Sequence, residues 1–235
     1  MNNPSSSPHR GSAQGRTIVI TGATGVLGIK TAQAFAARGH SLALLDFDQT
    51  KLDSLARSLN LPEDQLFTTI VDLREGQAVQ SAAAAVSSKF GAVHALIHLV
   101  GGWVGGKSLA ESSEEEFNPM LGQHVWTTFH LLRSFMPLLE QSGWGRVITV
   151  SPSTVSNPPP KRGVYTAAKA AQDTLVLTLA AELKEASVTA NIIQVKAIDV
   201  ENKGTGTTPD EIVAAMLYLF SDEAGKITGA RIPLY

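Results

Sequence analysis

Thr17-Ile18-Val19-Ile20-Thr21-Gly22-Ala23-Thr24-Gly25-Val26-Leu27-Gly28 is the stretch that decides the fold. A short β-rich run ends in a glycine turn, and a helical spacing begins at Val26. Glycines let a backbone bend sharply and approach a ligand closely, and a helix start offers unpaired N–H groups and positive dipole to phosphates. Gly22, Thr24, Gly25, Val26, Leu27 and Gly28 therefore form a candidate pyrophosphate cradle.

Working outward, strand-like and helix-like runs alternate to the end of the chain. Helical spacing covers Val26–Arg38 and stops at Gly39, a good C-terminal cap. Ser41–Asp46 is the next apolar strand, followed by an amphipathic helix over Thr50–Leu59. Leu66–Val71 and Val93–Val100 are the third and fourth strands, separated by an alanine-rich helix over Gln77–Phe90. Helices are expected over Glu114–Phe117 and Pro119–Gln141, a fifth strand over Arg146–Val150, and a long helix over Gly163–Ala186. A sixth strand (Val188–Val195), a helix (Pro209–Phe220) and a short last strand (Ala230–Pro233) complete the pattern. Apolar strands separated by helices imply a parallel sheet covered on both faces. Residues 1–15, rich in Ser, Asn, Pro and Gly, read as a disordered tail before one domain over 16–235.

The chain has 235 residues, 43% hydrophobic and 17% charged, with a formal net charge of −2. That balance gives no support for a nucleic-acid surface. There are no cysteines, which removes disulfides, thiolate zinc sites and cysteine nucleophiles. The six histidines show no metal-ligand spacing, so no metal is expected. No apolar run reaches the roughly 18 residues that cross a bilayer. The expectation is a cytoplasmic protein with a small-molecule substrate and neither nucleic-acid nor membrane partner.

Asp46 ends the second strand, where a carboxylate accepts both ribose hydroxyls of an adenosine and repels an added 2′-phosphate. Lys30 lies beyond the glycine turn, so the expected cofactor is NAD(H) in preference to NADP(H). Asp72, after the third strand, either accepts from an adenine amino group or caps a helix. Tyr165 and Lys169 lie one helical turn apart and project from one face. An ammonium near a phenol favours phenolate, and a phenol so tuned exchanges protons near neutral pH.

Taken together, the glycine turn, Asp46, Asp72, Tyr165-x-x-x-Lys169 and Ile227-Thr228-Gly229 resemble the short-chain dehydrogenase/reductase family over about residues 16–233. The resemblance implies a single-domain Rossmann fold: an α/β, doubly wound parallel sheet of about seven strands with helices on both faces. It also implies an oxidoreductase moving hydride between a nicotinamide and a carbonyl or alcohol. Tyr165 would be the acid/base, and Lys169 would bind the nicotinamide ribose and lower the tyrosine pKa. By the same resemblance Phe47, Leu73, Val100, Gly101, Gly102 and Ile198 join the cofactor set, and two helices, one bearing Tyr165, form a homodimer or homotetramer contact. Pro152 stands where the family places a substrate-binding serine; Ser151 and Ser153 flank it and are the candidate replacements. His124 aligns with a helical asparagine, His98-Leu99-Val100-Gly101 with Asn-Asn-Ala-Gly, and Val195-Lys196 with Pro-Gly. Gly101-Gly102-Trp103-Val104-Gly105-Gly106 resembles a segment of dihydropteridine reductases, which prefer NADH, lack the serine and reduce a quinonoid dihydropterin. There Trp103 either faces a ring substrate or covers the loop. The departures also motivate a second reading, a NAD(H)-binding sensor or scaffold with little catalysis.

Overall fold

The computed structural model describes residues 15–183 and 187–235. β1 (Thr17–Thr21) is buried at every position, as expected of an apolar run covered on both faces. It leads through the glycine turn into α1 (Val26–Ala36). Then follow β2 (Ser41–Asp46), α2 (Gln49–Leu59), β3 (Leu66–Ile70), α3 (Gly76–Phe90) and β4 (Ala95–His98). α4 (Glu114–Met120), a π-helical segment (Leu121–Trp126) and α5 (Thr127–Gln141) form one continuous helical run. β5 (Gly145–Pro152), α6 (Gly163–Glu182), β6 (Val188–Val195), α7 (Pro209–Phe220) and β7 (Arg231–Pro233) complete the chain.

The seven strands lie in the order β3-β2-β1-β4-β5-β6-β7, and every pairing is parallel. The chain builds outward from β1 in one direction, then returns to add β4 on its other side. The C-terminal ends of β1 and β4 therefore flank a crevice, the usual ligand position in a doubly wound sheet. One face packs Val19, Leu96 and Val147 against Leu131, Phe135 and Val176 of α5 and α6. The other packs Ile18, Ile20 and Ile97 against Phe35, Ile212 and Met216 of α1 and α7. Each such side chain, once buried, contributes about 1.5–3 kcal/mol. No helix among the described residues is long and apolar enough to cross a membrane.

Several boundaries differ from those expected. β4 is shorter than Val93–Val100, because its pairing with β1 and β5 stops at His98. β5 is longer than Arg146–Val150: Ser151 and Pro152 remain paired in register with Gln194 and Val195 of β6. α1 ends before Arg38, and Gly39 turns the chain away at φ +75°. α6 is described to Glu182; the remainder of the helix expected to Ala186 includes residues 184–186, which lie outside the described residues, as do residues 1–14 of the expected tail. The two helices expected around Pro119 are one run, with Pro119 inside α4.

Candidate active site

The crevice opens into a cleft of about 460 Å³. The glycine turn forms one wall with Gly22, Gly25, Val26, Leu27 and Gly28. Gly22 has φ +70°, and a Cβ there would lie 3.0 Å from Leu99 C and Val100 N. A Cβ on Gly28 would lie 2.2 Å from Gly22 O. Both glycines are thus required by the path of the backbone. Asp46 closes the turn: its Oδ2 accepts from Thr24 N–H and from Thr24 Oγ1–H, both at 2.8 Å. Its Oδ1 accepts from Phe47 N–H at 2.8 Å.

The floor comes from β4 and the loop after it, with His98, Leu99, Val100, Gly101, Gly102 and Trp103. His98 is fully buried, hydrogen-bonded to Thr21 Oγ1 at 2.7 Å, and held neutral by burial, which pulls its pKa down to about 3. The loop is stitched to the π segment: Gln123 Nε2 donates to Gly101 O at 2.8 Å, and a Cβ on Gly102 would lie 2.2 Å from Gln123 Oε1. His124 Nε2 lies 3.0 Å from Gly102 O. A carbonyl only accepts, so Nε2 carries the proton and Nδ1 is a bare acceptor. That Nδ1 is buried with no hydrogen-bond partner among the described residues. Burial, then the Lys169 charge, draws the His124 pKa down to about 4. Thr127 and Thr128 Oγ1 donate to Gln123 O (2.7 Å) and His124 O (2.6 Å), satisfying carbonyls in the wider π turn.

β5 and α6 supply the facing wall with Ser151, Pro152, Tyr165 and Lys169. The Tyr165 ring meets the His124 ring edge to face, with centroids 5.6 Å apart. Ser151 Oγ is buried with no partner among the described residues. Lys169 is 4% exposed. Its Nζ donates to Val150 O at 2.8 Å and to Gln172 Oε1.

This last arrangement corrects one expectation. Lys169 was expected to lower the phenol pKa, but the ammonium turns to carbonyl acceptors and no hydrogen bond among the described residues joins it to Tyr165. Burial instead raises the phenol pKa, with Arg162 opposing and Asp173 adding to the rise. The ammonium itself is drawn down to about 8 by burial, which Asp173 partly opposes. Buried ammonium groups seek acceptors, because an unpaired buried charge is costly.

The remaining candidates divide in two. Ile198 lines the cleft with Val195, the last residue of β6, and with Lys196, Ala197 and Val200 of the segment after it. Thr24, Asp46, Phe47, Asp72, Leu73 and Ser153 are not among the residues that line it. Asp72 neither caps α3, which starts from Glu75, nor has a free carboxylate. Arg74 N–H and Nε donate to its Oδ1 at 2.9 Å, and Arg74 Nη2 donates to Oδ2 at 2.6 Å. Ser153 starts a one-turn 3₁₀ helix, Ser153–Val155, leaving Ser151 as the cleft hydroxyl of this pair. Trp103 is 57% exposed and lies over Gly105, where a Cβ would come 2.7 Å from Trp103 Cζ2. Sequence reasoning missed Gln172, although its place three residues after Lys169 puts it on the same helix face.

Residues 16–210 match the family model described as short chain dehydrogenase. A curated relative, 2,3-dihydroxy-2,3-dihydro-p-cumate dehydrogenase of Pseudomonas putida, is 27% identical over 189 residues, 80% of this chain and 73% of that protein. Among solved structures, 3-ketoacyl-(acyl-carrier-protein) reductase from Brucella melitensis complexed with NADH superposes with TM-score 0.86 at 24% identity, covering 95% of this chain and 98% of that one. A short chain oxidoreductase from Pseudomonas aeruginosa PAO1, NADPH-bound and containing an atypical catalytic center, gives TM-score 0.86 at 22% identity over 93% and 94% of the two chains. At these identities the structural likeness is one of fold.

Proposed function

Because the chain belongs to the short chain dehydrogenase family, we propose that it is an NAD(H)-dependent oxidoreductase acting on a small carbonyl, alcohol or quinonoid ring, with Tyr165 as general acid/base. The observation that carries this reading is one cleft walled on one side by the glycine turn and on the other by Tyr165, Lys169 and Ser151. The residues present fit a dinucleotide: the turn has no room for side chains at Gly22 and Gly28, and α1 begins directly behind it. When bound, the dinucleotide supplies or takes up the hydride.

Tyr165 carries the proton. Burial keeps its hydroxyl protonated at neutral pH, which suits donation to a substrate oxygen during reduction. The resulting phenolate lies one helical turn from Lys169, whose ammonium keeps one hydrogen not taken by Val150 O or Gln172 Oε1. In the absence of a serine at position 152, the unpartnered Ser151 hydroxyl holds the substrate oxygen. Trp103 offers an exposed ring at the same cleft, suited to a flat substrate. Trp126 and Phe129, packed edge to face at 6.0 Å and partly exposed, supply apolar surface for a homodimer or homotetramer contact around α5.

NADH is favoured over NADPH because the Asp46 carboxylate at the end of β2 would repel an added 2′-phosphate and Lys30 is engaged by Asp210 at 3.1 Å. Like charges brought together cost several kcal/mol. Asp46→Ala should therefore narrow the ratio of NADPH to NADH dissociation constants by roughly tenfold or more, read by nucleotide fluorescence. An unchanged ratio would remove Asp46 from the cofactor assignment. For Ser151→Ala, kcat/KM should fall by about 10–10²-fold while Tm holds or rises, since a buried hydroxyl without a partner carries a desolvation cost. Unchanged kcat/KM would exclude Ser151 from substrate contact.

The function itself is tested by following NADH absorbance with carbonyls, quinones and dihydropterins. Consumption with at least one class is expected. Tight NADH binding without consumption on any would favour a NAD(H)-binding sensor.

A further inference from the structure

We propose that Gln172 is a positioning residue for Lys169, fixing the ammonium in the cleft wall and tying it through Thr128 to the π segment that carries His124. The inference rests on the reading of Lys169 as part of the reductase site, but its test does not require turnover.

The hydrogen-bond chain has one internally consistent direction. Thr128 Oγ1 donates its only hydrogen to His124 O at 2.6 Å, so toward Gln172 it can only accept. Gln172 Nε2 donates to it at 2.9 Å. The amide oxygen must then face Lys169, and it accepts from Nζ. The reverse amide orientation would set an NH₂ group against the ammonium and leave Thr128 without a donor. Gln172, Thr128 and Lys169 are all buried, so water does not substitute for the missing partner. Val150 O takes a second ammonium hydrogen at 2.8 Å. An ammonium has three donors, so one remains unused.

The charged and titratable surroundings leave Gln172 an uncrowded role. His98 on β4 and His124 on the π segment are held neutral by burial, at about 3 and about 4. Asp173 on α6 is directed to Arg231 of β7 at 3.2 Å, and Tyr165 on α6 stays protonated, with Arg162 beside it. The direct polar partners of Lys169 among the described residues are therefore two uncharged oxygens, those of Val150 and Gln172. Each favours the charged over the neutral amine.

The test is a pH titration of Lys169 in the cofactor-free protein, by NMR of isotope-labelled lysine, with the resonance assigned from a Lys169→Arg spectrum. Gln172→Leu should lower the Lys169 midpoint by about one pH unit, the scale of one hydrogen bond to a charged group. Gln172→Glu should raise it by a similar amount. Thr128→Val, which removes the anchor of the amide, should move it in the same direction as Gln172→Leu but by less. Should Gln172→Leu fail to fold, the glutamate and valine variants carry the decision. Midpoints that stay in place in the folded variants, or that move the same way for Leu and Glu, would overturn the proposal. In turnover, the pH at which kcat falls on the alkaline side should follow the same order. Loss of that correspondence with intact NMR shifts would count against the reductase reading and not against Gln172.

Discussion

Tyr165→Phe is expected to lose turnover by about 10²–10⁴-fold, the usual contribution of a positioned proton donor, while still binding NADH. The change removes one oxygen and keeps the ring. The ring packs edge to face with His124 and lies against the small cluster of Met120, Val164 and Ala168, so the fold of the cleft wall should persist. The buried phenol should also set the direction of pH dependence. Its pKa is raised by burial, so the reductive reaction should not lose its acid through phenol ionisation between neutral pH and the ordinary tyrosine value of about 10. An alkaline fall near 8 would instead report Lys169, whose ammonium burial has drawn down to about 8. Steady-state kcat and a fluorescence titration of NADH check both statements. Near-normal turnover in the phenylalanine variant would remove Tyr165 as the acid/base.

Gly28→Ala should be the most damaging glycine-to-alanine change among the described residues, since its Cβ makes the shortest backbone approach of any glycine there. The added Cβ would lie 2.2 Å from Gly22 O and 2.7 Å from Ala23 C and O. These are backbone atoms, so the overlap is not relieved by a rotamer change; the start of α1 must move off the turn. Overpacking of this kind costs about 1–3 kcal/mol and sometimes more, and it displaces the N–H groups meant for phosphate. A fall in Tm together with at least a roughly tenfold weaker NADH affinity is expected. Gly25→Ala is the control: its Cβ meets nothing closer than Gly22 O at 3.4 Å, and its φ is −69°. It should fold normally. Wild-type affinity and Tm in Gly28→Ala would contradict the tight turn.

Much of the fold was legible because its signals are local. Thr17 to Gly28 declares strand, turn and helix in order, and the continuous apolar runs announce strands buried on both faces. Non-local pairing was less legible. Ser151 and Pro152 extend β5 because β6 runs alongside them, a fact absent from their own polarity. The π segment at Leu121–Trp126 leaves the apolar spacing nearly unchanged, so periodicity reads through it. At the site, the four-residue step correctly puts Tyr165 and Lys169 on one face, but spacing does not say where an ammonium points. Val150 O and Gln172 decide that, and burial then raises the phenol pKa where a lowered one was expected. Asp72 shows the same limit: Arg74, two residues on, takes its carboxylate.

The most direct measurement is single-turnover reaction with NADH carrying two deuterium atoms at C4 of the nicotinamide. With carbonyl substrates the product carbon is read for deuterium by mass spectrometry; with quinones and dihydropterins, whose accepted hydrogen lies on oxygen or nitrogen and exchanges with water, the isotope effect on NADH oxidation is read instead. At least one class should show retained deuterium or a slowed oxidation with the wild-type protein, and its turnover should be strongly diminished with Tyr165→Phe. NADH bound tightly and left unoxidised by every class would contradict hydride transfer in this cleft.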